Sequence, residues 1–256
     1  MSDQAMDVVG AKEPFVLPID YSRLEHARLR LVPIEQDFHR FGTAMVEAFR
    51  QQPSMINYVS YPPMKDVSDY YQYWQLRMRD AKVQIFAILL KAGTVTKKDA
   101  VTGEKHEFQV EDGTFAGVTG LIDGNREWAS VEVAHVFTLP AFQRTFVTST
   151  AHALLLKHLL DPVTKDIGLR RVQWYAHQLN LASVGLAKRL GFQQEGVIRW
   201  ERPVRDDRAG VVEEGMPALT KQGDCLGPGR HSVVLGLCWD DWRDGGRQRI
   251  LDVLAM

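Results

Sequence analysis

The sequence predicts an α/β (α+β) fold, with a central mixed, mostly antiparallel twisted sheet flanked by helices. Two observations carry that expectation. Strand-like and helix-like patterns follow one another in the order β-α-α-β-β-β-α-β-α-β-β, with no internal repeat. Residues 130–160 read as one unit: a β-forming run, a proline turn and an apolar helix. The 256 residues, 45% hydrophobic and 25% charged, suit a globular protein. We expect a leader at 1–22, which carries Pro14 and Pro18, and a single domain at 23–256.

Residues 27–32 set Leu29 and Leu31 against Arg28 and Arg30, a half-buried strand that Pro33 ends. Over 35–50, Phe38, Phe41, Met45 and Phe49 fall at helical spacing. Residues 51–63 form a proline- and tyrosine-rich loop, too polar in places for a core. A second helix is predicted over 66–80, capped by Asp66 or Ser68, with Tyr70, Tyr73, Trp74 and Arg77 on one face. A continuous apolar strand covers 83–90. The Lys-, Thr- and Gly-rich segment 93–112 reads as an inserted surface hairpin. The strand at 114–122 contains Gly117 and Gly120, and Asp123-Gly124-Asn125 signals a hairpin turn.

The strand at 130–138 stops at Leu139-Pro140, and an apolar helix is predicted from Ala151 to Leu160. Another strand spans 170–177. Asn180 opens a helix whose Leu181, Val184, Leu186, Ala187 and Leu190 are predicted to face inward, and Gly191 closes it. An extended piece follows to Arg199. Residues 203–230 are a second polar, glycine-rich insertion. A last strand at 231–238 leads into a terminal helix over 239–256, anchored by Trp242, Ile250 and Leu251.

Charge narrows the function. A formal net charge of −1 gives no basic excess for nucleic acid. Cys225 and Cys238 offer neither a disulfide framework nor paired metal spacing, and are expected to be reduced thiols. No signal-peptide pattern and no bilayer-length apolar run is seen, so a cytoplasmic protein without membrane partners is expected, as monomer or homodimer.

Thr145 to Ser149 place polar side chains and free backbone N–H groups just ahead of the apolar helix. A helix N-terminus carries unpaired donors and a partial positive charge, which suits a phosphate.

Asn180-Leu-Ala-Ser183 followed by Arg189-Leu-Gly191-Phe192 resembles the N-x-x-S…L-G-F segment of the GNAT acyltransferase superfamily, most of all its ribosomal-protein N-terminal acetyltransferase branch. Glu132-Val-Ala-His135-Val-Phe with Gln143-Arg144-Thr145 is similar to a subgroup pattern, E-(I/V)-G-H-(I/V)-(Y/F)…P-x-(L/F)-Q-R-T. The likeness runs from about Leu29 to Trp242, leaving out the two insertions. It implies a GNAT fold and acetyl transfer from acetyl-CoA to an amine acceptor, with no metal. It also implies a pantetheine arm along Val136, Phe137 and Thr138. The pyrophosphate would lie over Gln143, Arg144, Thr145, Phe146, Val147, Thr148 and Ser149. The superfamily's usual loop glycines are absent, so Phe146 must hold its side chain off the phosphate. Ala134 stands where the subgroup has glycine, and Thr150 where it often has glutamate.

The chemistry needs a base for the amine, a donor for the leaving sulfur and an N–H for the carbonyl oxygen. Glu132, favoured by the resemblance, and His135 are the candidate bases. Three residues apart, they share one side of a strand only if a bulge intervenes. Otherwise Glu132 pairs with Arg170, Arg171 or another basic group, and His135 is a satisfied strand histidine. Ser183 is the candidate donor to sulfur, or simply a first-turn residue. The superfamily's frequent tyrosine position is Ala187 here. Asn180 is a helix cap, a pantetheine ligand, or both. Tyr58, Tyr61, Tyr73 and Trp74 are candidate acceptor-binding residues, or ordinary packing, with Arg199–Arg202 a further candidate stretch of that wall. Three readings remain open: an N-acetyltransferase for a small amine or amino acid, one for protein N-termini, and a non-catalytic CoA-binding or interaction module.

Overall fold

The computed structural model describes residues 13–161 and 167–256. The strands and main helices, in chain order, are β1 (Leu29–Pro33), α1 (Phe38–Gln51), α2 (Val67–Arg77), β2 (Gln84–Leu90), β3 (Gly93–Lys98), β4 (Lys105–Val110), β5 (Thr114–Asn125), β6 (Ser130–Thr138), α3 (Val147–Leu160), β7 (Arg171–His177), α4 (Leu181–Arg189), β8 (Gln193–Pro203), β9 (Gly229–Cys238) and α5 (Arg247–Ala255). Seven strands form one sheet in the order β1-β2-β5-β6-β7-β9-β8. Every neighbouring pair is antiparallel except β6 and β7. β3 and β4 form the hairpin foreseen for the first insertion.

Two apolar clusters cover the two faces of this sheet. Alternation along β2 sends Phe86, Ile88 and Leu90 to the cluster with α3, and Ile85, Ala87 and Leu89 to the cluster with α1 and α2. All seven residues of β2 are therefore buried, which is why it reads as a continuous apolar run. Asp66 caps α2 by accepting from the N–H groups of Ser68 and Asp69. Of the leader, residues 1–12 lie outside the described residues, while Leu17 is buried in the α3-side core.

Several boundaries differ from the sequence reading, each for a local reason. β5 runs through Asp123-Gly124-Asn125 instead of turning there. Asp123 takes a positive φ of 53° within a register shift, and the turn forms beyond it, with Asn125 Oδ1 accepting from the N–H of Trp128. α3 begins at Val147, because Thr148 and Ser149 fit a first helical turn as well as a loop. Leu181 does not face inward: it is 77% exposed on the outer side of the first turn of α4. The terminal helix is broken at Asp244 and Gly245, where Gly245 has φ 127°, although Trp242 and Ile250 are buried as foreseen.

Candidate functional site

The parallel pairing of β6 with β7 covers only Ser130–Val133 against Arg171–Trp174. Beyond it the strands separate, which leaves the edge of β6 from Ala134 to Thr138 unpaired on that side. A cavity of about 510 Å³ opens at the split. Its walls include Glu132, His135, Asn180 and Ser183, with Tyr58 and Tyr61 from the loop before α2.

Glu132 and His135 reach the same cavity because a bulge intervenes. Gly120 pairs with Ala134 and Val118 with Phe137, so Thr119 faces both His135 and Val136. His135 takes φ 54° to make this possible. Gly117 permits the close approach next to the bulge. A Cβ there would stand 2.1 Å from the carbonyl oxygen of Phe137.

The two residues have opposite electrostatic settings. Burial pushes the Glu132 carboxyl up to about 8, aided by the nearby charges of Asp123 and Glu201, against the pull of Arg230 and Arg202. Arg171 does not pair with Glu132; it makes a bidentate contact to Glu195. Burial holds His135 down to about 3, with Arg77 adding repulsion. Its Nδ1 lies 2.7 Å from the hydroxyl of Tyr61, and its ring packs edge-on to Trp74 at 4.6 Å.

Ser183 sits in the first turn of α4, where its N–H donates to Asn180 Oδ1 at 3.2 Å. Asn180 is thus the helix cap while also lining the cavity. The Ser183 hydroxyl faces the cavity and accepts from the indole N–H of Trp174 at 2.9 Å. The expected aromatics divide. Tyr58, Tyr61 and Tyr73 line the cavity, whereas Trp74 is fully buried behind His135 and so is not brought to the surface where an acceptor would touch it. Tyr61, placed by the sequence in a loop too polar for a core, is 3% exposed.

The loop between β6 and α3 is held by its own side chains. Gln143 Nε2 donates to the Thr138 carbonyl at 3.2 Å, and the hydroxyls of Thr138 and Thr148 pair at 2.7 Å. Thr145 Oγ1 accepts from the N–H of Val147, and the Ser149 hydroxyl donates to the Phe146 carbonyl. Arg144 takes φ 62°. Phe146 lies under the Arg28 guanidinium at 3.9 Å and packs on the core. Among the described residues, no acceptor is found for the N–H of Thr148 or Ser149, so the helix N-terminus remains open to an anion. The first insertion braces this loop: Lys97 Nζ donates to the Pro140 carbonyl at 2.8 Å.

The comparisons fit this geometry. The family model described as an acetyltransferase (GNAT) domain matches residues 28–193. The chain belongs to the GNAT acetyltransferase family. It is an acyltransferase, in a family whose acetyl donor is acetyl-CoA. No curated protein matches the chain. Among solved structures, a probable GNAT-family acetyltransferase from Chromobacterium violaceum is similar at 20% identity, with TM-score 0.62 over 95% of this chain and 96% of that one. A GCN5-related N-acetyltransferase from Brucella melitensis is similar at 17% identity and TM-score 0.63, over 90% and 84%. Mycobacterium smegmatis RimJ, in complex with CoA-disulfide, is similar at 14% identity and TM-score 0.56, over 88% of each chain. These likenesses are of fold. No helix of the described residues is long and apolar enough to cross a membrane.

The sequence reading includes Arg199–Arg202 as a candidate stretch of the cavity wall but misses Arg230 and His177, which join Glu201 and Arg202 there. Glu201 sits 3.4 Å from Arg230, and Arg230 also donates to Ser232 Oγ at 2.7 Å and to the Tyr58 carbonyl at 3.3 Å. Arg202 Nη2 donates to Glu201 Oε1 at 2.6 Å. His177 packs on Tyr58 at 5.4 Å. No local motif marks these residues. The signal that was available, the charged Glu201-Arg202 pair, lies within the Arg199–Arg202 stretch already named, whereas Arg230 and His177 carry none.

Proposed function

We propose that this protein is an acetyl-CoA-dependent N-acetyltransferase that moves an acetyl group directly to a primary amine of a small molecule or amino acid. The observation that carries the reading is the convergence of Glu132 and Ser183 on one cavity at the split between β6 and β7. The donor's pantetheine arm would lie along Val136, Phe137 and Thr138, and its pyrophosphate over Gln143 to Ser149, where open N–H groups favour it and Phe146 is engaged by Arg28 and the core.

In this reading Glu132 takes the proton of the acceptor ammonium. Its raised pKa suits that transfer near neutral pH. The amine nitrogen forms a bond to the thioester carbon and gives up a second proton to solvent, the carbon–sulfur bond breaks, and CoA leaves as the thiol with a proton from the Ser183 hydroxyl, which solvent restores. The backbone N–H of Val136 would serve the developing charge on the carbonyl oxygen. His135, held neutral beside Tyr61, shapes the wall rather than acting as base.

A small acceptor is favoured over a protein N-terminus because the loop that walls the acceptor side is held in place. Arg230 and the start of the second insertion both tie down the loop at 57–58, through the Tyr58 carbonyl and through an N–H of Ala209 to the Asn57 carbonyl. The test has two stages. Acetyl-CoA at a hundred times its Kd should stabilise the protein by about 2.7 kcal/mol, and absence of a shift overturns the reading. A thiol-release assay over small amines, amino acids and short peptides then names the acceptor class. Turnover confined to peptides would favour the N-terminal reading.

A further inference from the structure

We infer that the second insertion builds a subsite for a flat apolar group, so that the acceptor is an amine joined to an aromatic ring. This deepens the N-acetyltransferase reading and rests on it. A separate pocket of about 440 Å³ lies between the ends of β8 and β9 and the insertion. Its wall is mainly apolar, with Trp200, Pro203, Met216, Pro217 and Leu226. Arg202 lines both this pocket and the catalytic cavity, so the two are neighbours across one side chain.

The chain takes on strain to present Trp200. Its φ is 52°, a left-handed conformation that a bulky residue rarely adopts. It stands where the β8–β9 register shifts between Ile198 and Arg202. The N–H of Trp200 donates to His231 Nδ1 at 3.2 Å, and its ring meets His231 edge-on at 5.1 Å. The ring also lies against Gly229, where an added Cβ would come within 2.2 Å of it. Yet Trp200 remains 41% exposed. A buried anchor would explain the cost by core packing; a half-exposed ring held from two sides is a surface offered for stacking. Glu213 and Glu214, on the same pocket, give it a negative character that draws a protonated amine toward its mouth.

The test compares phenethylamine with propylamine as probes. The indole N–H signal of Trp200, identified by its loss in Trp200→Ala, should move with phenethylamine and stay with propylamine. In thiol release, kcat/KM should favour phenethylamine by at least about tenfold, the discrimination an apolar pocket commonly reaches. Trp200→Ala, and independently Met216→Arg from the insertion side, should cut that ratio to within about threefold. A ratio between two substrates is insensitive to partial loss of folded protein. If the Trp200 signal moves but neither amine releases thiol, the subsite stands and the transfer reading falls. If both amines turn over equally and the signal is still, the subsite is overturned and the transfer reading stands. A ring preference that survives both variants also overturns it, and neither binding nor turnover overturns both.

Discussion

The indole N–H of Trp174 donates to the hydroxyl oxygen of Ser183 at 2.9 Å. Trp174 is buried in β7, and Ser183 faces the cavity from the first turn of α4. One acceptor position of the serine is thereby filled from the protein side, so its own hydrogen is directed to another partner. That is the orientation required of a donor to a leaving sulfur. Ser183→Ala should lower kcat by about a hundredfold, within the range for a proton donor, with little change in acetyl-CoA affinity. Trp174→Phe keeps the serine but frees its rotor, and should lower kcat by about tenfold. Steady-state kinetics beside a CoA-binding titration separates the two effects. Unchanged turnover in Ser183→Ala removes it from the mechanism.

Glu132 should give the pH profile its rising limb. With its carboxyl near 8, kcat/KM should climb as pH rises through that value, and Glu132→Gln should abolish the climb. The sign for stability is opposite. The folded carboxyl holds its proton up to about 8, while the unfolded one releases it near 4.5. Stability is therefore lost as pH rises from 4.5 to 8. Glu132→Gln should raise the Tm more at about pH 9 than at about pH 5, reflecting a carboxylate kept at some cost for its function.

Ser149→Asp should separate helix stability from donor binding. A carboxylate in the first turn of α3 favours the helix by about 0.5 kcal/mol. The same charge would repel a pyrophosphate over Thr148 and Ser149. Thermal unfolding should show a Tm equal to or above that of the parent, and titration should show an acetyl-CoA Kd raised at least about tenfold. Unaltered affinity would place the phosphates elsewhere.

The buried histidines should make the protein acid-sensitive. His135 is held near 3 and His152 near 4, both by burial, and His177 is lowered for the same reason. His152 is fixed as the Nδ1–H tautomer, donating to the Thr148 carbonyl at 2.7 Å, while Thr119 donates to its Nε2 at 3.0 Å. As pH falls below 6.5 the unfolded histidines take protons and the folded ones do not, so stability is lost in that direction. Urea midpoints at about pH 7 and about pH 5 should show the drop. His152→Met should lessen it, with His135 and His177 supplying the remainder, and an unchanged slope would mean that His152 is charged in the folded protein.

Much of the fold was legible because it rests on short-range pattern. The continuous apolar run of β2, the cap at Asp66 and the C-terminal Gly191 each depend on fewer than ten residues. The misplaced boundaries fall where short-range signals compete. Asp123-Gly124-Asn125 suits a turn, but it also suits a bulge, and pairing with β6 selected the bulge. Thr148 and Ser149 suit a loop, but the apolar face of α3 drew them into the helix.

The site divides along the same line. Sequence alone, through its likeness to GNAT segments, singled out Glu132, His135, Asn180 and Ser183 as candidate site residues and marked a helix N-terminus after the central strand. Those residues lie within recognisable segments whose local geometry is encoded nearby. Only the tertiary structure decided that a bulge turns His135 and Glu132 into one cavity, that Trp74 stays buried behind it, and that Arg230 and Glu201 line that cavity while Trp200 lines the pocket beside it. Burial and charge act across space. Glu132 is raised by strands and loops up to about seventy residues away in the chain, and no pattern along the chain reports the water that folding removes.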